Sequence, residues 1–327
     1  IPRQYQKSFR HESGWFWLIL PLTFFWLLLT YFRKGKDPFG RGTIVPEFEA
    51  PGGLLPAEIG TIIDEKVDNK DISATIIDLA IRGYLKIKNA DGKYSLIKIK
   101  EADLKMKKYE KDLFSALFSS GKEMDIATAH INNEIKTVKS SLYKDMTERN
   151  YFAKSPDKVR GDYLLWGFLV IFFCGIFFWL SWNLVFALFF LGILIFIFSK
   201  VMPKKTKEGV ILKEKSLGLK EFLYRADRYK LKWQEKQEIF EKFLPYAMVF
   251  GVVDKWAQNF KNIYTDPPDW YQGNINTFSA LYIANEMSHF SSSASSSYSP
   301  PAASGSSGFG GGGSSGGGFG GGGGGSW

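Results

Sequence analysis

The sequence predicts an α-helical membrane protein with three transmembrane helices, a cytoplasmic winged-helix-like α+β module, a cytoplasmic helical module and a disordered Gly/Ser tail. Three observations carry that fold class. Residues 14–32 and 163–199 contain no Lys, Arg, Asp, Glu or His. The segments beside them are polar, yet carry apolar stripes at helical spacing. From residue 286 the composition collapses to Ser and then Gly, which cannot bury a core.

Residues 1–13 form an extracytoplasmic flank, and residues 14–32 the first span. At about 1.5 Å per residue that stretch covers a hydrocarbon layer ~30 Å thick in one pass. Residues 163–199 are about twice as long, with Ser181-Trp182-Asn183 near the middle. They read as two passes, 163–180 and 182–199, joined by a tight turn. Trp15, Trp17, Trp166, Trp179 and Trp182 fall near span ends, as interfacial Trp does.

Orientation follows from the short flanks. Arg33, Lys34, Lys36 and Arg41 follow the first span; Lys154, Lys158 and Arg160 precede the second; Lys200, Lys204, Lys205 and Lys207 follow the third. These share one side if the N-terminus is outside and both large soluble segments are cytoplasmic, although Arg3, Lys7 and Arg10 stand on the outer flank. The net charge of +9 invites a nucleic-acid reading, to be set against the side chains of residues 71–82.

Residues 33–56 carry Pro38, Pro46, Pro51 and Pro56 and predict an extended linker. Residues 57–155 hold the winged-helix-like modules. A short helix over 57–66 is followed by a second over 71–82, with Asp71 as its N-cap and Gly83 just past its end. YLKIKNADGKYSLIKIK then alternates about Asp91-Gly92, a hairpin signature. Helix, helix, hairpin is the order of a winged helix. Two further stripes, Leu104, Tyr109, Leu113, Phe114, Leu117, Phe118 and Ile131, Ile135, Val138, Leu142, Met146, end at Tyr151-Phe152 much as the first unit ends at Tyr84-Leu85. A second, degenerate winged helix is one reading of them.

Residues 200–285 form the helical module. Leu219, Phe222, Leu223, Ala226 and Tyr229 make one stripe; Met248, Val249, Val252, Trp256 and Phe260 another, entered through Leu244-Pro245. Phe222, Tyr229, Met248, Trp256 and Phe260 are expected to pack against residues 57–155, since both segments would otherwise leave apolar stripes wet. Residues 286–327 are the disordered tail.

No reactive constellation is expected. Cys174 is the sole cysteine and lies inside a span; His11, His130 and His289 are scattered; no GxxxxGK[ST], HExxH or GxSxG occurs. The reading is no enzyme, no cofactor and no metal. Helix 71–82 would be the groove reader of a DNA-binding winged helix, but its non-core face offers Asp71, Ser73, Thr75, Asp78 and Arg82, a poor match to phosphate. Lys86, Lys88, Lys98, Lys100 and Lys105 are candidate lipid-headgroup contacts, with a solvated charged face as the alternative. Spans without ionisable groups argue against transport.

PGGLLPAEIGTIIDEK, DISATIIDLAIRGYLKI, FLPYAMVFGVVDKWAQNF and a tail ending GGGGGSW together resemble the bacterial predicted membrane proteins of YciQ-like type, a domain of unknown function (2207). The resemblance runs from residue 33 to the C-terminus. It implies a signal peptide and an exported β-rich domain ahead of residue 1, in keeping with an outside N-terminus and a first residue other than Met. It implies no established activity, so it assigns no catalytic residue. The combined expectation is a scaffold or assembly protein of the bacterial plasma membrane with membrane lipid and protein partners, including other copies of itself. A membrane-tethered transcription regulator is the alternative, and a channel or transporter component ranks below both.

Overall fold

The computed structural model describes residues 14–176, 182–225, 236–261, 264, 266–273 and 278–298. It is mostly helical with one small mixed sheet. A 3-10 turn, Gly14–Leu18, leads into α1, Ile19–Thr30, and a π turn, Tyr31–Gly35. The first helical rod therefore runs past residue 32 and takes Arg33 and Lys34 into its last turn. Phe16–Gly35 and Trp182–Ser199 are long and apolar enough to cross a membrane by length and composition. Only 6% of the first is buried, so it is not a soluble core helix. Leu22, Phe25 and Trp26 stand 61–69% exposed on it, a patch that water disfavours.

Residues 36–55 are largely irregular, as the prolines predict, but they are docked rather than free. Arg41 and Gly42 donate backbone N–H bonds of 2.8 and 2.9 Å to the Glu214 carboxylate, and the Phe48 and Phe222 rings meet at 4.9 Å.

Next come α2, Pro56–Asp64, and α3, Asn69–Ile81. Asp71 is not the N-cap of α3. The helix starts at Asn69, three residues earlier and behind Asp68, and the Asp71 carboxylate reaches back to accept the Asp68 N–H at 2.8 Å. At the other end Gly83 takes φ +79°, with Gly83 N–H on Ala80 O and Tyr84 N–H on Leu79 O, a Schellman closure. Strands β1, Leu85–Ala90, and β2, Lys93–Lys98, pair antiparallel. Asp91 and Gly92 both have positive φ, as a two-residue hairpin turn requires.

Helix α4 spans Lys108–Leu117, so Leu104 is excluded from its stripe and is 97% exposed. Strand β3, Glu123–Asp125, adds to β2, and α5, Asn132–Glu148, buries Ile135, Val138, Leu142 and Met146. Helix α6, Pro156–Cys174, begins well before residue 163, with Asp157, Lys158, Arg160 and Asp162 in its early turns; a proline at its first position suits this start. Residues 177–181, including Ser181 of the expected turn, lie outside the described residues; Trp182 and Asn183 open α7, Trp182–Ser199. Helices α6 and α7 meet backbone to backbone. A methyl group added at Gly192 would sit 3.1 Å from Gly167 O, and one at Gly167 would sit 3.2 Å from Gly192 O, so only small residues allow this close approach of the two helices. The Phe24 ring of α1 meets Phe198 of α7.

Helices α8, Lys207–Tyr224, α9, Lys236–Phe250, and α10, Val253–Gln258, follow. The 244–260 stripe is not one helix entered at Pro245. Pro245 lies inside α9, and Gly251, at φ +68°, ends that helix before α10 begins. Strand β4, Tyr271–Gln272, pairs parallel to β1, giving the sheet order β3-β2-β1-β4. Helix α11, Ala280–Tyr298, overturns disorder from residue 286. Ile283, Ala284, Met287, Phe290 and Ala294 are buried along one face, so the serines occupy the outside of a docked helix. The remainder of the Gly/Ser segment lies outside the described residues. One hydrophobic core joins residues from Leu54 to Tyr298.

Candidate functional site

The body holds two helix-pair units with matching ends, α2–α3 and α4–α5. The ends read DLAIRGYL at 78–85 and DMTERNYF at 145–152. Asn150, at φ +59°, stands where Gly83 does, and Tyr151 N–H closes on Met146 O as Tyr84 N–H closes on Leu79 O. In each unit an arginine beside this closure lies over the tyrosine: Arg82 over Tyr84 at 5.5 Å, Arg149 over Tyr151 at 4.8 Å.

The units exchange these arginines. Arg149 of the second unit donates to Glu58 of the first at 2.8 Å, while Arg82 of the first pairs with Glu110 of the second. Each glutamate also accepts a backbone N–H at its own helix start, Leu55 N–H at 2.8 Å and Lys107 N–H at 2.7 Å. Lys107 adds an ammonium to Glu58 at 2.6 Å. Glu58 and Glu110 have no solvent exposure. Burial pushes the Glu58 carboxyl above its usual range, against the pull of Lys107 and Arg149. Burial also pushes Asp78 up to about 6, with Arg82 opposing. Buried charges paired in this way fix a geometry more than they add stability.

Beyond these closures the units resemble each other again. Tyr84 O accepts the N–H groups of Ile99 and Lys100, closing the β1–β2 hairpin. Tyr151 O accepts Thr206 N–H at 3.1 Å, and Phe152 bridges antiparallel to Lys205. The apolar helices α6 and α7 thus emerge from the second unit at the place where the hairpin emerges from the first.

A second charged node ties the apolar helices to the body. Lys205, fully buried just after α7, places its ammonium on the Glu65 carboxylate and 3.7 Å from Asp37, which follows the first helical rod. Asp37 also accepts the Lys205 backbone N–H at 2.7 Å. Arg160 of α6 donates to Glu65 O at 2.8 Å. Glu65 itself sits at φ +65°, just past α2, a conformation that costs a non-glycine residue roughly 1 kcal/mol or more. The first helical rod, α6 and the end of α7 therefore all reach one residue of the body, directly or through Lys205.

The lysines singled out from the sequence do not share one face. Lys86 and Lys88 lie on the outer face of β1, opposite Ile97 and Ser95. Lys98 faces the other way, opposite Leu85, and is held by Glu101 at 2.6 Å and by the Phe114 ring. Lys100 and Lys105 are exposed in the following loop. Phe222, Trp256 and Phe260 sit together in the core, with Phe222–Trp256 and Trp256–Phe260 ring distances of 6.2 and 4.7 Å, and Met248 packs at its edge. Tyr229 lies outside the described residues.

The face of α3 assigned to solvent is covered. Asp71 and Ser73 have no exposure and Thr75 has 3%, because α9 and α11 pack on α3. Ser297 of α11 donates to Ile126 O beyond it. No local signal in α3 announces this cover, which comes from residues more than 160 positions downstream.

A cleft of about 500 Å³ lies between β1 and Pro267-Pro268, with Glu241 in its wall. That carboxylate is engaged by Tyr264 Oη and Trp270 Nε1, both at 2.8 Å. Among the described residues no group of His, Cys, Asp and Glu is arranged to hold a metal ion. The chemistry on view is pairing and packing.

Residues 44–260 match the family model of the predicted membrane protein (DUF2207) C-terminal domain. That range takes in both helix-pair units, the hairpin, α6 to α9 and α10. Comparison with curated proteins and with solved structures yields no match.

Proposed function

We propose that this chain, which belongs to the DUF2207 C-terminal domain family of predicted membrane proteins, is a non-enzymatic membrane scaffold whose cytoplasmic body recruits protein partners. In this reading the chain crosses the bacterial plasma membrane three times, N-terminus outside, with two tandem winged-helix-like units inside. The α6–α7 hairpin takes the place of the second unit's wing. The observation that carries the proposal is the Lys205–Glu65–Asp37–Arg160 node. It gives the soluble body a fixed attitude toward the apolar helices, which a presenting surface needs and an independently tethered domain lacks.

The burial of Asp71, Ser73 and Thr75 under α9 and α11 weighs against the transcription-regulator alternative, because the groove-reading helix of a winged helix has to be free. Residues 14–32 and 163–199 carry no Lys, Arg, Asp, Glu or His to line a transport path, which weighs against a channel or transporter component. Mild crosslinking in native membranes followed by purification of the intact chain tests the proposal. Recovery of a stoichiometric protein partner is expected. Recovery of the chain alone, or salt-sensitive retention on DNA, would sink it.

A further inference from the structure

Where the apolar helices enter the body, a cleft of about 620 Å³ opens between them. Its wall is assembled from four stretches: Trp26 and Lys34 of the first rod, Lys154 before α6, Asp162, Tyr163 and Trp166 within α6, and Met202 and Lys204 after α7. The volume lies within the ~300–1,000 Å³ of small-molecule sites. The lining is graded. Lys34, Lys154 and Lys204 stand at the end next to the soluble body, whereas Trp26 and Trp166 stand further up the helices and are 62% and 63% exposed. Lys34 lies eight residues beyond Trp26, or roughly 12 Å along a helix. Headgroup layers are about 5–8 Å deep on each side of the hydrocarbon, so a separation of roughly 12 Å puts Lys34 at headgroup level when Trp26 lies within the upper hydrocarbon.

None of these three lysines has a carboxylate partner among the described residues. At the same junction Lys205 and Arg160 are both paired with Glu65. Three lysines without a carboxylate partner in the wall of one cleft call for an anion. The exposed indoles above them call for an apolar body attached to it. Asp162 is the one carboxylate in the wall, able to accept hydrogen bonds from hydroxyl groups on the same ligand.

We propose that this cleft binds the headgroup of an anionic phospholipid, with Lys34, Lys154 and Lys204 on its phosphodiester and Trp26 and Trp166 against its upper acyl chain. The site is distinct from the lysines of the β1–β2 hairpin. It rests on the membrane reading of the helices and is independent of partner recruitment.

The test is native mass spectrometry of the full chain, released from detergent after incubation with phosphatidylglycerol or phosphatidylcholine. Wild type should retain one phosphatidylglycerol in preference to phosphatidylcholine. The triple variant Lys34→Gln/Lys154→Gln/Lys204→Gln should bind phosphatidylglycerol about tenfold or more weakly, since each juxtamembrane lysine contributes substantially to anionic-lipid attraction. A variant with Lys86, Lys88, Lys100 and Lys105 changed to Gln should bind as wild type does. Carbonate extraction of membranes carrying each variant verifies that the helices remain embedded, which separates failure at the cleft from failure of the membrane reading. Equal retention of both lipids by wild type, or unchanged retention by the triple variant, would overturn the proposal. Displacement of the lipid by millimolar inorganic phosphate would also overturn it, by assigning the cleft to a soluble anion.

Discussion

Asp71 is a carboxylate with no solvent exposure, and its position is set by one hydrogen bond. One oxygen accepts the Asp68 N–H, and the other has no partner. Burial pushes its pKa up to about 8, with the backbone bond opposing. The folded state therefore binds this proton more tightly than the unfolded chain does. Its contribution is fully present below the ordinary carboxylate range and is lost as pH rises toward 8. Asp78, raised to about 6, acts in the same direction at lower pH and is common to wild type and an Asp71 variant. Comparing the two proteins between pH 6.5 and pH 8.5 therefore reads the Asp71 share. Asp71→Asn keeps an acceptor for Asp68 and cannot ionise. Its denaturation midpoint should change less than wild type over that range, by an amount worth on the order of 1–3 kcal/mol at pH 8.5. Parallel pH profiles for the two proteins would show that Asp71 does not carry the effect. The sequence shows an acid at a helix start and permits either capping role. Which role Asp71 takes depends on Asp68 lying at the boundary, and its raised pKa depends on α9 and α11.

At the scale of elements, the reciprocal exchange of Arg82 and Arg149 between the two helix-pair units sets how those units face each other. Arg149→Gln should destabilise by roughly 2–3 kcal/mol, below the ~3–5 kcal/mol of a buried charge left wholly unpaired, because Lys107 stays on Glu58. Glu58→Gln/Arg149→Gln should cost less than the sum of the two single changes, with a coupling of about 1 kcal/mol or more. Chemical denaturation of the purified protein measures the cycle, and additivity would mean that the pair does not act as a unit. Much of each element is readable locally: Ile135, Val138, Leu142 and Met146 recur at helical spacing, and Asp91-Gly92 between alternating runs is a hairpin turn. Pro245 misleads because a proline inside a helix and one in its first turn look alike without the residues that pack around them. Strands β3 and β4 are three and two residues long, too short for an alternating pattern, and exist because β1 and β2 offer them edges.

For the whole molecule, residues on both sides of α6–α7 build a single core. Ala153 N–H meets Lys204 O at 3.0 Å, so the two ends of the apolar hairpin stand at strand-pair distance. Replacing residues 155–202 by a short Gly/Ser turn, and starting the chain at residue 36, should yield a soluble body that unfolds cooperatively. In that body Trp256→Ala should cost about 3–5 kcal/mol, since the ring is fully buried among Phe222, Phe243 and Phe260. An insoluble or non-cooperative product would mean that the hairpin is needed to hold the flanks together. Unchanged protease resistance of the Trp256 variant would remove that ring from the core.

The apolar stretches, their basic flanks, the helical stripes and the hairpin turn were determined by the sequence itself. Each depends on transfer free energies and backbone periods that act over a few residues. The cover on α3, the docking of the serine-rich helix, the arginine exchange and the convergence on Glu65 were decided only by the tertiary structure. Each joins residues far apart in the chain, and a side chain's partner across such a distance is set by how the elements pack.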